Sequence, residues 1–261
     1  MKNILRLVGF CSIITFMHCK NEPSEAVHTP QLSRFVAANS DPEAIMIADA
    51  AIEACGGTEA WNAVKGLKWN FFGRRWLLWD KENQHVRIDN TQNDTKLLLD
   101  LKTMKGRVYK DGKEWTEPDT VQKYTNMAYK QWINDMYWLV APLKIKDEGV
   151  RLRYLGEDTT QTGIASDVIE LKFDSVGVTP QNMYKLWVGK NSKLVAQWAY
   201  YSDATDSVPS MITPFDNYLR YGNVFISGDR GGKRQLTGIK VFEELPKEWF
   251  ENFDALDFEH L

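Results

Sequence analysis

Apolar residues along this chain follow two periods, and the change between them organises the fold. Over residues 118–150 the spacing is helical: Val121, Tyr124, Ala128, Trp132, Met136 and Leu139 recur at three- and four-residue steps on one side of a helix. Met127, Ile133, Tyr137 and Trp138 are also apolar yet lie off that stripe. A helix that is apolar on more than one side is either buried in protein or covers something that is not protein. Asn134-Asp135 offers a cap for a fresh turn. The pattern therefore predicts a jointed lid, with a second short helix over residues 136–140, a stop at Pro142 and a strand-like 143–146.

On either side the pattern changes to short runs rich in aromatic and β-branched residues, split by turn signals. The runs are 67–79, 84–89, 95–101 and 106–109 before the helix, then 150–156, 167–173, 182–189, 193–202, 218–226 and 234–243 after it. Lys110-Asp111-Gly112, residues 189–192 and residues 228–232 read as hairpin loops. Ten runs at close spacing predict one antiparallel meander. Alternation in 67–79 puts Trp69, Phe71, Leu77 and Trp79 on one face and Phe72, Arg74, Trp76 and Leu78 on the other, so neither face is polar. Residues 193–202 repeat this. Such strands are covered on both faces, curve around a lumen, or bend, here at Gly73.

Ahead of the sheet, Ser40 as N-cap, Asp41, Pro42 and Glu43 in the first turn and Gly56-Gly57 after the end mark a helix over 41–55, with Ile45, Ala48, Ile52 and Cys55 on its apolar side. A second turn of helix over 58–64 carries Trp61 and Val64. A short helix over 246–253 closes the chain.

Residues 1–18 place Lys2 and Arg6 before an apolar run, the layout of an export signal, and Cys19 follows at the head of a polar tail. This arrangement resembles a bacterial lipoprotein signal, in which Cys19 becomes the acylated N-terminus; His18 and Phe16 depart from the usual small residue and Leu. Residues 19–40, with Pro23, Pro30, Ser24, Ser33 and Ser40, read as anchor and tether, and 41–261 as one domain. An acyl anchor holds a protein on a membrane face without a spanning helix. No segment reaches the roughly 18 consecutive apolar residues needed to span.

Charge and chemistry narrow the picture. The net charge of -3 becomes -5 without Lys2 and Arg6, with 30 basic against 35 acidic residues and no basic patch, which argues against nucleic acid. Beyond Cys11 and Cys19 the sole thiol is Cys55, read as a small core residue, which excludes a disulfide framework or a multi-cysteine metal site. Of four histidines only His85 falls in a strand region, with no second ligand nearby, so neither a metal site nor a Ser-His-acid triad is expected. No carboxylate pair stands out by spacing, and Gly228–Arg234 lacks the order of a phosphate loop. No catalytic residue, metal or cofactor is predicted. A surplus of aromatic side chains remains, 12% of the chain with ten Trp. Either these fill a core, or Trp69, Phe71, Trp76, Tyr124, Trp132, Met136, Tyr137, Trp138, Trp198 and Tyr200 line an apolar cavity, with Arg74 and Arg75 as head-group contacts.

The segments 51–57 with Trp61, 134–142 with Lys144, Lys146-Asp147 and Gly149-Val150, and 214–218 look like those of an uncharacterised family of Bacteroidota-type envelope lipoproteins, itself similar in plan to the outer-membrane lipoprotein-sorting (LolA-like) carriers. The resemblance spans about residues 40–250. It implies an α+β, mainly antiparallel fold: a strongly curved incomplete barrel, or half-barrel, with helices packed on the concave side and an apolar cavity between. The expected function is a non-enzymatic outer-membrane lipoprotein holding a lipid or a lipoprotein acyl chain in an apolar cavity, with the membrane reached through its anchor and no protein partner named. The alternative is a structural or interaction lipoprotein with a solid core. Cys19→Ala is expected to release the protein from membranes into the soluble fraction; unchanged retention on fractionation contradicts acylation at Cys19.

Overall fold

A computed structural model describes residues 35–174 and 178–261. The expected leader, Cys19 and the tether before residue 35 lie outside the described residues. The chain runs α1 (Pro42–Ala54), α2 (Gly57–Ala63), β1 (Gly66–Phe71), β2 (Arg75–Asp80), β3 (His85–Asn90), β4 (Lys96–Asp100), β5 (Lys105–Lys110), β6 (Lys113–Trp115) and α3 (Pro118–Val140). There follow β7 (Val150–Thr159), β8 (Ala165–Phe173), β9 (Met183–Gly189), β10 (Val195–Tyr201), β11 (Met211–Pro214), β12 (Asp216–Tyr221), β13 (Val224–Asp229) and β14 (Leu236–Phe242). The strands pair antiparallel in a seven-stranded sheet, β14-β1-β2-β3-β4-β5-β6, a five-stranded sheet, β11-β10-β9-β8-β7, and the hairpin β12-β13. The fold is thus α+β with open, antiparallel sheets and helices against their inner faces. The expected single meander is instead two, divided where α3 interrupts the strands.

The run 67–79 is a hairpin rather than one strand. Phe72 (φ 54°) and Gly73 (φ 70°) turn the chain, Arg74 N–H donates to Phe71 O at 3.0 Å, and Asn70 Oδ1 accepts from Gly73 N–H at 2.7 Å. Its two apolar faces have different covers. Leu67, Trp69, Phe71, Leu77 and Trp79 join Val86, Ile88, Leu97, Leu99 and Val108 in a core against α2, α3 and the β12-β13 hairpin. On the other face Lys68, Leu78, Arg87, Leu98 and Arg107 stand in register across β1 to β5.

The C-terminal segment, with only a 3-10 turn over Lys247–Phe250 where a helix over 246–253 was expected, straps across this row. Phe258 stacks on Trp76 with centroids 5.4 Å apart. Sheet cations hold the strap by its carbonyls: Lys68 Nζ on Phe258 O (2.6 Å), Lys96 Nζ on Phe253 O (2.8 Å), Arg107 on Glu251 O, and Arg87 on Trp249 O (3.2 Å) and Asp254 O (2.7 Å). Arg87 is fully buried and also pairs with Asp89 at 2.7 Å.

On the five-stranded sheet, α1 lays Ala44, Ala48, Ala51 and Ile52 against Val150, Leu152, Ile169 and Leu171, forming a second core. These small side chains, more than Ile45, make the buried stripe. Ser40 does not cap α1: its Oγ accepts from Leu152 N–H at 2.9 Å, and Asp41 stands at the N-cap with its carboxylate accepting from Tyr154 N–H at 3.0 Å. Past α1, Gly56 (φ 111°) leaves room for Asn223 O, which a Cβ there would meet at 2.3 Å, so the β12-β13 turn docks on the helix end.

α3 is one continuous helix of 23 residues. The predicted joint at Asn134-Asp135 is absent because neither side chain is free to cap. Arg75 takes both Asp135 carboxylate oxygens, at 2.6 and 2.7 Å, and Asn134 Nδ2 donates to Asp135 as well. The helix starts at Pro118, capped by Glu117, which accepts from Asp119 and Thr120 N–H. It ends in a 3-10 turn over Ala141–Leu143, followed by turns and not by the expected strand at 143–146. Among the described residues no helix is long and apolar enough to cross a membrane.

Removing Arg87 leaves Asp89 and the strap carbonyls without a buried partner. Arg87→Ala is expected to cost about 3–5 kcal/mol, read by urea unfolding, with hydrogen exchange rising over residues 249–258. A loss below about 1 kcal/mol contradicts this anchoring role.

Candidate functional site

The inner face of the five-stranded sheet carries an aromatic row. Leu171 on β8, Tyr184 on β9, Tyr200 on β10 and Met211 on β11 lie in register. Phe173 and Trp198 sit diagonally to Tyr184, with centroids at 5.9 and 5.3 Å. A β-bulge between Val195 and Gln197 resets the alternation of β10, so that both Val195 and Trp198 face inward. Against this floor stands the second half of α3. Tyr137 lies 5.2 Å from Tyr184 and 6.2 Å from Phe173, and Trp138 packs edge-on to Trp198 at 5.0 Å.

Between helix and floor lies a cleft of about 850 Å³. Its helix wall is Tyr129, Trp132, Ile133, Met136, Tyr137 and Trp138; its sheet wall is Val150, Phe173, Tyr184, Trp198, Tyr200 and Met211. Polar groups reach it from the edges: Lys130 and Asn134 on α3, Lys144, Asp147 and Glu148 beyond it, Thr179 and Asn182 before β9, and Arg234 before β14. Lys144 pairs with Asp147. Asn182 Nδ2 donates to Thr179 Oγ1 at 2.6 Å.

Six of the ten residues expected to line a cavity meet here: Trp132, Met136, Tyr137, Trp138, Trp198 and Tyr200. The structure places the other four elsewhere. Trp69 and Phe71 are buried in the first core with Tyr124 against it, and Trp76 is on the outer face beneath Phe258. Arg75 is spent on Asp135 and on the Phe71 ring, 4.7 Å away, and neither Arg74 nor Arg75 reaches the cleft. Sequence reasoning missed Tyr184 and Phe173, whose inward face follows from alternation in β8 and β9. It also missed Arg234, whose position depends on how a loop folds back.

The end of α3 is fixed by an unusual donor. In an α-helix the carbonyl of Trp138 would accept from the N–H of residue 142, and Pro142 has none. Arg230, almost wholly buried, donates Nη2 to that carbonyl, donates Nη1 to Ser227 O (3.1 Å) and Asp229 O (2.8 Å), and lies 3.6 Å over the Phe215 ring. Burial pulls its guanidinium down to about 10, so it stays charged at neutral pH.

The cleft walls hold no His or Cys. Among the described residues no group of three or more His, Cys, Asp or Glu side chains could hold a metal ion. Cys55 is buried and its thiol is pushed up to about 12, the state of an inert core sulfur. His85 lies against Phe250 on the strap side, away from the cleft. What the walls do offer is apolar surface with polar handles. Trp132 Nε1, Tyr137 Oη and Trp198 Nε1 are buried without a hydrogen-bond partner. Burial drives the Tyr137 hydroxyl well above its usual range, with the nearby Tyr184 adding to the effect, so it is a neutral O–H.

No protein-family model matches the chain, and no curated protein does. Among solved structures it is similar to a DUF1329 family protein from Desulfovibrio piger, with a TM-score of 0.45, 13% identity, and coverage of 81% of this chain and 98% of that one. At that similarity the likeness decides nothing about what the chain does.

An orphaned buried hydroxyl destabilises a fold, so Tyr137→Phe is expected to leave stability unchanged or raise it by up to about 1 kcal/mol in urea unfolding. A loss beyond that contradicts the absence of a partner for this hydroxyl.

Proposed function

We propose that this chain is a non-enzymatic binding protein of the bacterial cell envelope that holds a lipid or acyl chain in the cleft between α3 and β8–β11. The observation that carries this reading is the cleft itself: about 850 Å³, walled by aromatic and aliphatic side chains, with charge confined to its edges. Small-molecule sites of roughly 300–1,000 Å³ with apolar walls and few polar groups are the usual form for such ligands. Burying an alkyl chain of about eleven methylenes offers roughly 9 kcal/mol before ordering and association costs, enough for useful affinity. The rings pack on one another, so the walls are preformed and their ordering is not charged to the ligand. The lipoprotein-like leader and Cys19 support an outer-membrane location with the domain held at a membrane face.

A second reading, a scaffolding lipoprotein with a solid core, draws support from the first sheet, where Trp69, Phe71 and Leu77 are packed closed beneath α3. The two readings differ in ligand uptake. Native mass spectrometry of protein purified from its host is expected to show a co-purifying lipid. The apolar dye N-phenyl-1-naphthylamine is expected to gain fluorescence on binding and lose it on addition of dodecanoate. Absence of both bound lipid and dye uptake overturns the binding reading in favour of the solid-core scaffold.

A further inference from the structure

The cleft is not evenly charged at its edges. Lys144 is neutralised by Asp147, and Glu148 has a partner of its own. Two rim cations, Lys130 and Arg234, enter none of the ion pairs formed among the described residues. They are not equivalent. Lys130 is an exposed residue on the outer turn of α3, eight residues before Trp138 and so about 12 Å away along the helix axis. Arg234 is seated: its guanidinium lies 5.8 Å over the Trp138 ring, and Nη1 points at Met211 Sδ at 2.9 Å. Both of those residues are cleft walls. A guanidinium carries five N–H donors, and here just one has a protein contact, to a weak sulfur acceptor. Among the described residues no carboxylate pairs with the remaining donors. Contact with the Trp138 ring and with Met211 places the planar fork at the mouth, and its geometry suits bidentate contact with a carboxylate or phosphate in a way a lysine does not.

We infer that the ligand is a single-chain amphiphile with an anionic head, a carboxylate or a phosphate, and that Arg234 receives that head at the cleft mouth while the chain lies between α3 and the aromatic floor. This rests on the binding function proposed above and specifies its ligand class. Arg234 comes from the same loop as Arg230. One loop therefore fixes the helix end through the Trp138 carbonyl on the inside and places a free cation on the Trp138 ring at the mouth. The chemistry recognised is shared by fatty acids and by monoacyl phosphates. It excludes neutral alcohols and esters as preferred ligands, because they offer no charge to the fork.

The test is displacement of N-phenyl-1-naphthylamine by dodecanoate, dodecyl phosphate, dodecanol and methyl dodecanoate, on the full chain and on Arg234→Gln, Arg234→Lys and Lys130→Gln. The wild type is expected to favour the anions over the two neutral compounds by on the order of tenfold or more, the size of one charge-assisted contact. Arg234→Gln is expected to abolish that preference while dodecanol and dye binding stay unchanged; Arg234→Lys keeps part of it, and Lys130→Gln keeps all of it. The relative strength of dodecanoate and dodecyl phosphate tells which head the site takes. Equal binding of charged and neutral chains by the wild type overturns the head-group assignment alone, as does a preference that survives Arg234→Gln or disappears in Lys130→Gln. Failure of the dye and all four compounds to bind overturns the binding function, and this inference with it. Arg234 is exposed, so its substitution leaves the core intact, and an unchanged far-ultraviolet circular dichroism spectrum verifies that each variant is folded.

Discussion

One missing hydrogen fixes the geometry of this molecule. Pro142 has no N–H to give to the carbonyl of Trp138, and a buried carbonyl left open costs about 1–3 kcal/mol. Arg230 supplies the donor from the loop between β13 and β14. The guanidinium is itself desolvated; carbonyl acceptors and the Phe215 ring at 3.6 Å offset part of that cost, while its Nε has no hydrogen-bond partner among the described residues. The consequence is positional. The last turn of α3 is tied to the β12-β13 hairpin, whose Tyr218 reaches β10 through Val195 O at 2.9 Å. Two turns of α3 thus hang over the second sheet at a set height. The Arg75–Asp135 pair fixes the same stretch from the first sheet. Met136 and Tyr137 lie between these two attachments and Trp132 one turn of helix before them, so this stretch of α3 is held with Tyr137 on the aromatic floor and the cleft open beside it.

The same two attachments explain what could be read from the sequence and what could not. Apolar periodicity located α3, its proline stop and its surplus of apolar faces, and these are local properties of residues 118–142. The expected break at Asn134-Asp135 rested on the capping habit of those residues. That habit holds only when the side chain is free, and Asp135 is held by an arginine sixty positions earlier in the chain. Local signals cannot register such a partner. The β1-β2 hairpin escaped for a related reason: Phe72 at positive φ is an unusual turn residue, and the apolar run conceals the single glycine beside it. By contrast Asp111-Gly112 and the loop after Gly189 carry ordinary turn chemistry and were legible as hairpins.

Strands apolar on both faces suggested a lumen, and the two sheets resolve that signal differently. On the seven-stranded sheet the second apolar face belongs to the strap, with Trp76 and Leu78 under Phe258. Its cations, Lys68, Arg87, Lys96 and Arg107, are carbonyl clamps in the fold. An irregular segment presents free carbonyls, and a row of basic side chains one strand apart matches them, so the strap needs no strand pairing of its own. Because that cover comes from the far end of the chain, no window of sequence could separate it from a cavity wall. On the five-stranded sheet the aromatic surplus does face open space, which is why Trp198 and Tyr200 fell on the cleft and Trp69, Phe71 and Trp76 did not.

A filled core and a cleft make different demands on the same ring types. In the first core Trp61 and Trp79 approach to 6.1 Å, and Trp79 and Trp132 to 5.4 Å, with aliphatic side chains closing the gaps between them. At the cleft the rings contact mainly one another: Tyr137 with Phe173, Tyr184 and Trp198, and Trp198 with Tyr184, Trp138 and Phe215. Rings stacked on rings are stiff and leave one side uncovered without rearranging, whereas aliphatic chains would swing in to fill the void. A fold under pressure for stability alone would close such a space, since lining atoms without neighbours forfeit dispersion energy and each buried N–H or O–H without a partner adds a further cost. Trp132, Tyr137 and Trp198 carry such orphaned groups on the cleft walls, and Trp69 and Trp79 carry them in the first core, so this second cost is not peculiar to the cleft. What sets the cleft apart is open space of about 850 Å³ kept beside rings that pack on one another, and that space is the physical ground for reading it as a site rather than a packing defect.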